Sequence, residues 1–597
     1  MLQRIFNMKS SPIPEHTILS PCFAPGVTSD LGPTSEKYVQ GNLILLLDGD
    51  IAVEGQEQKR SCSGLPPAVE ELFRRYRLGG DDFLRFVRGG FRLAFWDCDE
   101  RKLVVAVDHF ATKPVYYFER NESFAFAPRL SGLSSFRREI DPNVVYFYLN
   151  HSFVPAPFSI YRGIKRLEPG QYVVWDGAVV KVRQYWDIQY DEDKGLDEAA
   201  AANAVRSGVQ SSVEFYLQNQ RCDASEIGAF LSGGTDSSTL VGLLASMQDK
   251  PIKTFSVGFD EAAYNEIHYA RIAAKHFGAD PHERFVSAED ALQAVSVLAT
   301  SFDEPFGNSS AIPTYFCLQM AKETGIKAMF AGDGGDELFA GNTRYVAEKH
   351  FLPFDVLPDR LQALSFRTAG LLPQLYPLHK IRRYIERARE PNPARFYHYQ
   401  LFLSQNSQEF FTKKFLTQLA KEFPLRPACA HYEKTKFAAA LNRLLYMDLK
   451  MCIADNDLFK VNRMAELVGT KVCYPFLDRD LAEMTGKIPV ALKLKGLQKR
   501  YIFKRAFRSL LPEEILKKKK HGFGLPIAGW LRTHTGFRDM ARSLLLDSSS
   551  SQREIFQPNA LMRLLREHDE ERSDFYSTFV WNIMMLELWH RNHKARE

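Results

Sequence analysis

The sequence predicts an α/β protein with two unlike halves: a β-rich first part ending near Trp186, then strands alternating with helices that give way to a helical C-terminal part. Three observations carry this. Residues 42–47, 91–97, 103–107, 115–118 and 172–175 are short apolar or alternating runs bounded by Gly, Asp, Asn or Pro, the pattern of stacked sheets. The acidic, then alanine-rich stretch 187–202 ends that pattern and marks a linker. Beyond it, strands at 226–231, 252–257 and 328–331 alternate with helices at 238–247 and 266–277, as in a parallel sheet. The expected domains are 1–190 and 200–597, with mainly amphipathic helices after about Tyr345.

The one strong helix of the first half, 67–78, carries Val69, Leu72, Phe73 and Tyr76 on one face. With 597 residues, 45% hydrophobic and 25% charged, the chain can bury large cores and is neither disordered nor fibrous. Lys and Arg number 77 against 72 Asp and Glu, an interspersed excess of +5 that implies no nucleic-acid partner. The eight cysteines stand far apart, without metal spacing, as reduced thiols do. No apolar run is long enough for a membrane span or a secretory signal, so the expectation is a cytoplasmic protein with no membrane partner.

The sharpest chemical signal is Leu231-Ser232-Gly233-Gly234-Thr235-Asp236-Ser237-Ser238, between a strand and a helix. Paired glycines let backbone N–H groups converge on an anion, and the helix N-terminus adds partial positive charge. Without the Gly-Lys-Ser/Thr element of a kinase-type loop, it suits a held pyrophosphate, hence cleavage of ATP to AMP and pyrophosphate. A Gly-Gly turn also joins strands to helices for steric reasons alone. A second loop decides between these readings: Gly332-Asp333-Gly334-Gly335-Asp336-Glu337 also follows a strand, placing carboxylates at the same sheet edge, where such sheets bind ligands. Asp236 and Asp336 then form a plausible pair of Mg2+ ligands, since Mg2+ takes one or two carboxylates plus phosphate oxygens.

These loops, with Thr254 to Phe259, Asp303 to Phe306, Ser309 to Thr314, Arg463-Met464, Tyr474 to Asp478 and Lys520 to Gly524, resemble the asparagine synthetase family. The resemblance implies an N-terminal Ntn-hydrolase-like β-rich domain and a C-terminal PP-loop ATP pyrophosphatase domain with a helical end. It implies adenylation of a carboxylate with ATP and Mg2+, then attack by nitrogen to form an amide. Carried over, Leu231, Val257 and Gly332 line the adenine and ribose pocket, and Ser232, Gly233, Gly234, Ser237 and Ser238 form the pyrophosphate cradle. Asp236 and Asp336 hold Mg2+, and Asp333 stands beside the reacting acyl group. The family's catalytic lysine is replaced: Gln498-Lys499-Arg500-Tyr501 puts Arg500 at its position and Lys499 beside it. Arginine keeps the charge but cannot readily shuttle a proton.

In the first half, Asp108 to Tyr117 and Val154 to Pro157 resemble the family's glutaminase domain, which uses an N-terminal cysteine as nucleophile. Here the chain reads Met1-Leu2, Cys22 lacks the following glycine, and Asp48-Gly49-Asp50-Ile51 replaces Asn-Gly-Glu-Ile. The Arg-Gly-Pro-Asp region that precedes it in the family is missing too. The expectation is a degenerate glutaminase kept as scaffold, with Trp96 and Tyr117 as core residues. The nitrogen then comes from ammonia or a substrate amine, and the acyl substrate is a carboxylate-bearing small molecule or peptide. A lasso-peptide macrolactam cyclase, with a peptidase or other biosynthetic partner, stays open as an alternative. So does a catalytically impaired nucleotide-binding scaffold. The 517–520 tetralysine run reads as a solvated face or as a steering patch for an anionic substrate.

Overall fold

The computed structural model describes residues 27–29, 31–55, 64–120, 123–136, 139–369, 378–518, 524–547, 554–570 and 575–594. Cys22 and the 520–523 part of the last family block lie outside the described residues. In the first half, β1 (Val27–Ser29), β2 (Glu36–Gln40), β3 (Leu43–Val53), β4 (Val87–Asp97) and β5 (Lys102–Val107) are followed by β6 (Tyr116–Arg120) and β7 (Ser123–Ala127). Then come β8 (Ile164–Arg166), β9 (Gln171–Trp175) and β10 (Val180–Gln184). They form a six-stranded antiparallel sheet in the order β10-β9-β5-β4-β3-β2 and a four-stranded sheet in the order β1-β7-β6-β8.

Alternation explains the stacking. Leu46, Ala94, Trp96, Val105 and Trp175 on one face of the larger sheet pack against Tyr117, Phe124 and Phe126 of the smaller. Leu45, Leu93, Phe95 and Val104 on the other face pack under the helix Pro67–Gly79 through Val69, Leu72, Phe73 and Tyr76. Since both faces are covered, β4 reads as a nearly continuous apolar run, and Trp96 and Tyr117 are core residues.

The second half holds a parallel sheet of β11 (Ile227–Phe230), β12 (Lys253–Gly258), β13 (Asp280–Phe285), β14 (Ala328–Phe330) and β15 (Lys471–Cys473), ordered β13-β12-β11-β14-β15. Helices Glu198–Gln218, Thr235–Met247 and Ile267–Phe277 pack into one core with β11, while Ala288–Ser301, Ala311–Glu323 and the terminal helix Phe575–Lys594 belong to another. The expected strands 226–231, 252–257 and 328–331 correspond to β11, β12 and β14. The expected helices correspond to Thr235–Met247 and Ile267–Phe277. In this sheet two strands escaped the sequence reading, as did β1, β2, β7, β8 and β10 of the first half: β13, Asp-Pro-His-Glu-Arg-Phe, is an edge strand without apolar alternation, and β15 has only three residues.

Buried polar pairs join the halves. Arg166 donates to Asp455 at 2.8 Å, and Tyr116 donates to Glu304 at 2.7 Å. Arg129 pairs with Asp303 at 3.0 Å and Arg88 with Asp478 at 2.7 Å. The family blocks containing Asp303, Glu304 and Asp478 thus serve the domain interface. Burial pushes the Asp455 carboxyl up to about 7, against the pull of Arg166.

Candidate active site

The loops after β11 and β14 touch at the C-terminal edge of the parallel sheet. A Cβ on Gly332 would come within 3.2 Å of both Asp236 Cβ and the Ser237 nitrogen, and one on Gly335 would reach 2.6 Å from the Asp236 carboxyl carbon. Glycine at both positions therefore lets the acidic loop lie directly on the Ser/Gly loop. Within the latter, Gly233 takes a left-handed φ of 66°, and a Cβ there would come within 2.4 Å of the Tyr269 backbone, so only glycine fits.

Ser232 and Ser237 face one another at 3.2 Å between hydroxyl oxygens, and the Gly234 N–H donates to Ser232 Oγ at 3.3 Å. Ser238 is wholly buried, and its hydroxyl has no hydrogen-bond partner among the described residues. Leu231 and Val257 are buried at the adjoining ends of β11 and β12, where Ser256 Oγ donates to the Leu231 carbonyl at 2.6 Å.

The two expected metal carboxylates are brought together by one cation. Arg500 Nη2 donates to Asp236 Oδ2 at 2.5 Å and also to Asp336 Oδ1, while its Nη1 donates to Thr235 Oγ1. Arg500 is 7% exposed and has a left-handed φ of 54°, a conformation that strains a side-chain-bearing residue by about 1–3 kcal/mol. Thr235, which the sequence reading left unassigned, belongs to this cluster. Lys499 is only partly buried and makes none of these contacts, and its pKa is lowered by burial and by Arg500. Arg500 therefore occupies the seat between the carboxylates that the sequence left open to either residue.

Beside this cluster, Lys460 is 7% exposed and donates to Asp457 Oδ1 at 2.8 Å and to Ser310 Oγ at 3.1 Å. Burial lowers its pKa, but Asp457 and Asp333 more than offset it, so the net shift is upward and Asp333 stands within electrostatic reach. Asp333 also helps hold Tyr474 in its neutral form, behind burial as the main cause. Burial, with Asp448 and Asp457, raises the Glu337 carboxyl well above the usual range. Sequence reasoning missed Lys460 and Asp457, and it quoted Ser310 only within the Ser309 to Thr314 block, without a role. Their sole local trace is the three-residue spacing of Asp457 and Lys460, while Ser310 lies 150 residues from Lys460.

In the first half, Asp48 is 2% exposed and pairs with Arg92 and Lys113, each at 2.7 Å, and Asp50 pairs with Lys471 of the other half. Burial opposes the Asp48 charge, and the two cations overcome it, leaving its pKa below the usual value. Burial raises the thiol pKa of Cys317 to about 12 and also raises that of Cys222, so neither is an activated thiol.

Comparison with known proteins agrees with this layout. The family model described as asparagine synthase matches residues 208–591, and the glutamine amidotransferase domain model matches residues 66–186. A glutamine-hydrolyzing asparagine synthetase of Bacillus subtilis is 26% identical over 535 residues, covering 87% of this chain and 80% of the relative. A second asparagine synthetase of that organism is 22% identical over 513 residues, covering 80% and 75%. Amidase chyE of Penicillium rubens is 22% identical over 501 residues, covering 77% and 73%. With more than half of its length matched by one family model, the chain belongs to the asparagine synthase family and carries an amidotransferase domain ahead of the synthase domain.

Proposed function

We propose that the protein is an ATP-dependent amide synthetase that adenylates a carboxylate, releases pyrophosphate and passes the acyl group to ammonia or an amine. The observation behind this reading is the contact between the two loops, which brings Asp236 and Asp336 onto a single cation beside a Ser/Gly anion cradle. The donor set fits Mg2+: two hard carboxylates at a phosphate cradle, with phosphate oxygens to complete the shell. Asp236 and Asp336 would hold the ion once the Arg500 guanidinium that bridges them here turns to the phosphoryl oxygens, and the ion would supply neutralising charge for the leaving pyrophosphate.

In the first step a substrate carboxylate oxygen bonds to the α-phosphorus while the bond from that phosphorus to the bridging oxygen of the β-phosphate breaks, and pyrophosphate leaves with the electron pair. The Ser/Gly loop binds that leaving group through backbone N–H groups and the Ser232 and Ser237 hydroxyls. Arg500 neutralises charge on the phosphoryl oxygens as it develops. In the second step the amine nitrogen bonds to the acyl carbon, the bond from that carbon to the oxygen bridging it to phosphorus breaks, AMP leaves with that oxygen and the electron pair, and Asp333 takes the proton lost by nitrogen. Lys460 stands within electrostatic reach of Asp333 and places a positive charge beside it. When amine and carboxylate sit on one molecule, the same step closes a lactam.

Glutamine is not the nitrogen source in this reading, because Asp48 stands at the amide-bearing position of the glutamine site and both its oxygens are occupied by Arg92 and Lys113. The test supplies ATP, Mg2+ and candidate carboxylates with either ammonium or glutamine. Ammonium or an amine should support AMP formation, and glutamine should yield no glutamate. Glutamate released in step with AMP would contradict the reading.

A further inference from the structure

The tetralysine run is not uniformly solvated. The Lys517 side chain is 73% exposed and pairs with Glu513 one turn away, whereas the Lys518 side chain is only 6% exposed. Lys518 Nζ donates to the Ser232 carbonyl at 3.0 Å and to Glu266 Oε2 at 3.0 Å, and lies 4.7 Å from the centre of the Tyr269 ring. Glu266 and Tyr269 stand at the start of the helix Ile267–Phe277, whose first turn also forms the floor under Gly233. A buried lysine, a carboxylate that holds it and an aromatic seat thus meet at the first residue of the anion cradle.

The geometry points to Lys518 as the residue that sets the pyrophosphate loop for binding. In a trans peptide the carbonyl and the following N–H point in opposite directions. An ammonium drawing the Ser232 carbonyl to one side therefore aims the Gly233 N–H to the other. Gly233, in its left-handed conformation against Tyr269, has no side chain to resist that orientation. Glu266 keeps the ammonium from drifting toward the incoming anion, so Lys518 acts through the backbone of the loop. This inference rests on the proposed function, since it assumes that the loop binds the β- and γ-phosphates of ATP.

The test measures binding of inorganic pyrophosphate and of α,β-methylene-ATP with Mg2+ to the full-length protein by calorimetry, which needs no knowledge of the acyl substrate. Losing a hydrogen bond to a charged group corresponds to about 10- to 150-fold in affinity, so Lys518→Met should weaken pyrophosphate binding by that order. Lys518→Arg, which keeps donors at the Ser232 carbonyl, should recover most of it, and Lys517→Met should bind as wild type does. Recovery by arginine separates positioning from a general packing defect, and it decides the matter if Lys518→Met folds poorly. Wild-type affinity in Lys518→Met, no recovery in Lys518→Arg, or an equal loss in Lys517→Met would overturn the assignment. Failure of wild type itself to bind either probe would instead overturn the nucleotide reading, and this inference with it.

Discussion

Asp236→Asn and Asp336→Asn should each reduce pyrophosphate release to background while leaving the protein folded. Each substitution removes the charge of one of the two carboxylates that converge on Arg500, and a divalent ion held by a single carboxylate at a phosphate site binds weakly. Stability should survive because Arg500 keeps its bond to Thr235 and one remaining carboxylate, and because both aspartates sit in the first turns of helices at the sheet edge rather than in its core. Circular dichroism and a melting curve close to wild type, together with a pyrophosphate assay at background, are the expected result. Wild-type turnover in either variant would remove the metal assignment.

Arg500→Ala should lower turnover far more than it weakens ATP binding, because a group that neutralises charge developing on phosphorus acts chiefly in the transition state. Losing one such donor typically lowers the rate about 100- to 1000-fold, or about 2.7–4 kcal/mol. Arg500→Lys should restore a good part, since it returns the cation to the same seat. Lys499→Ala should change the rate by no more than about twofold, as substitutions away from buried networks generally do. Lys499 makes none of the contacts to Thr235, Asp236 or Asp336 that Arg500 makes. A silent Arg500→Ala beside an inactive Lys499→Ala would reverse the assignment.

Both loops were legible in the sequence because their chemistry is local: glycines at 332 and 335 are required where a side chain would strike Asp236, and the strand-loop-helix order surrounds each of them. What joins them was less legible. Arg500 lies 264 residues from Asp236, and nothing near it in sequence says whether it or Lys499 turns inward; the left-handed turn at Arg500 decides. Lys460 gave little signal beyond its spacing to Asp457, because Ser310 and Asp333 arrive from separate segments. Lys518 was read only together with its neighbours, as a solvated face or a steering patch, because a run of like charges predicts solvation unless a tertiary seat such as Tyr269 and Glu266 receives one member. Strands buried on both faces, such as β4, stood out as apolar runs, while the polar edge strand β13 did not. The blocks around Asp303 and Asp478 were visible as patterns, but their work at the domain interface depends on Arg129 and Arg88 from the other half.

The central claim is that ATP is cleaved between its α and β phosphates to activate a carboxylate. The direct measurement follows the phosphorus-containing products by 31P NMR as purified protein consumes ATP with Mg2+, ammonium and a panel of amino-acid and peptide carboxylates. The account predicts AMP and pyrophosphate in equal amounts, formed only with an accepted carboxylate and absent in Asp236→Asn. ADP and inorganic phosphate as the matched products, or AMP formed at the same rate without any carboxylate, would contradict it.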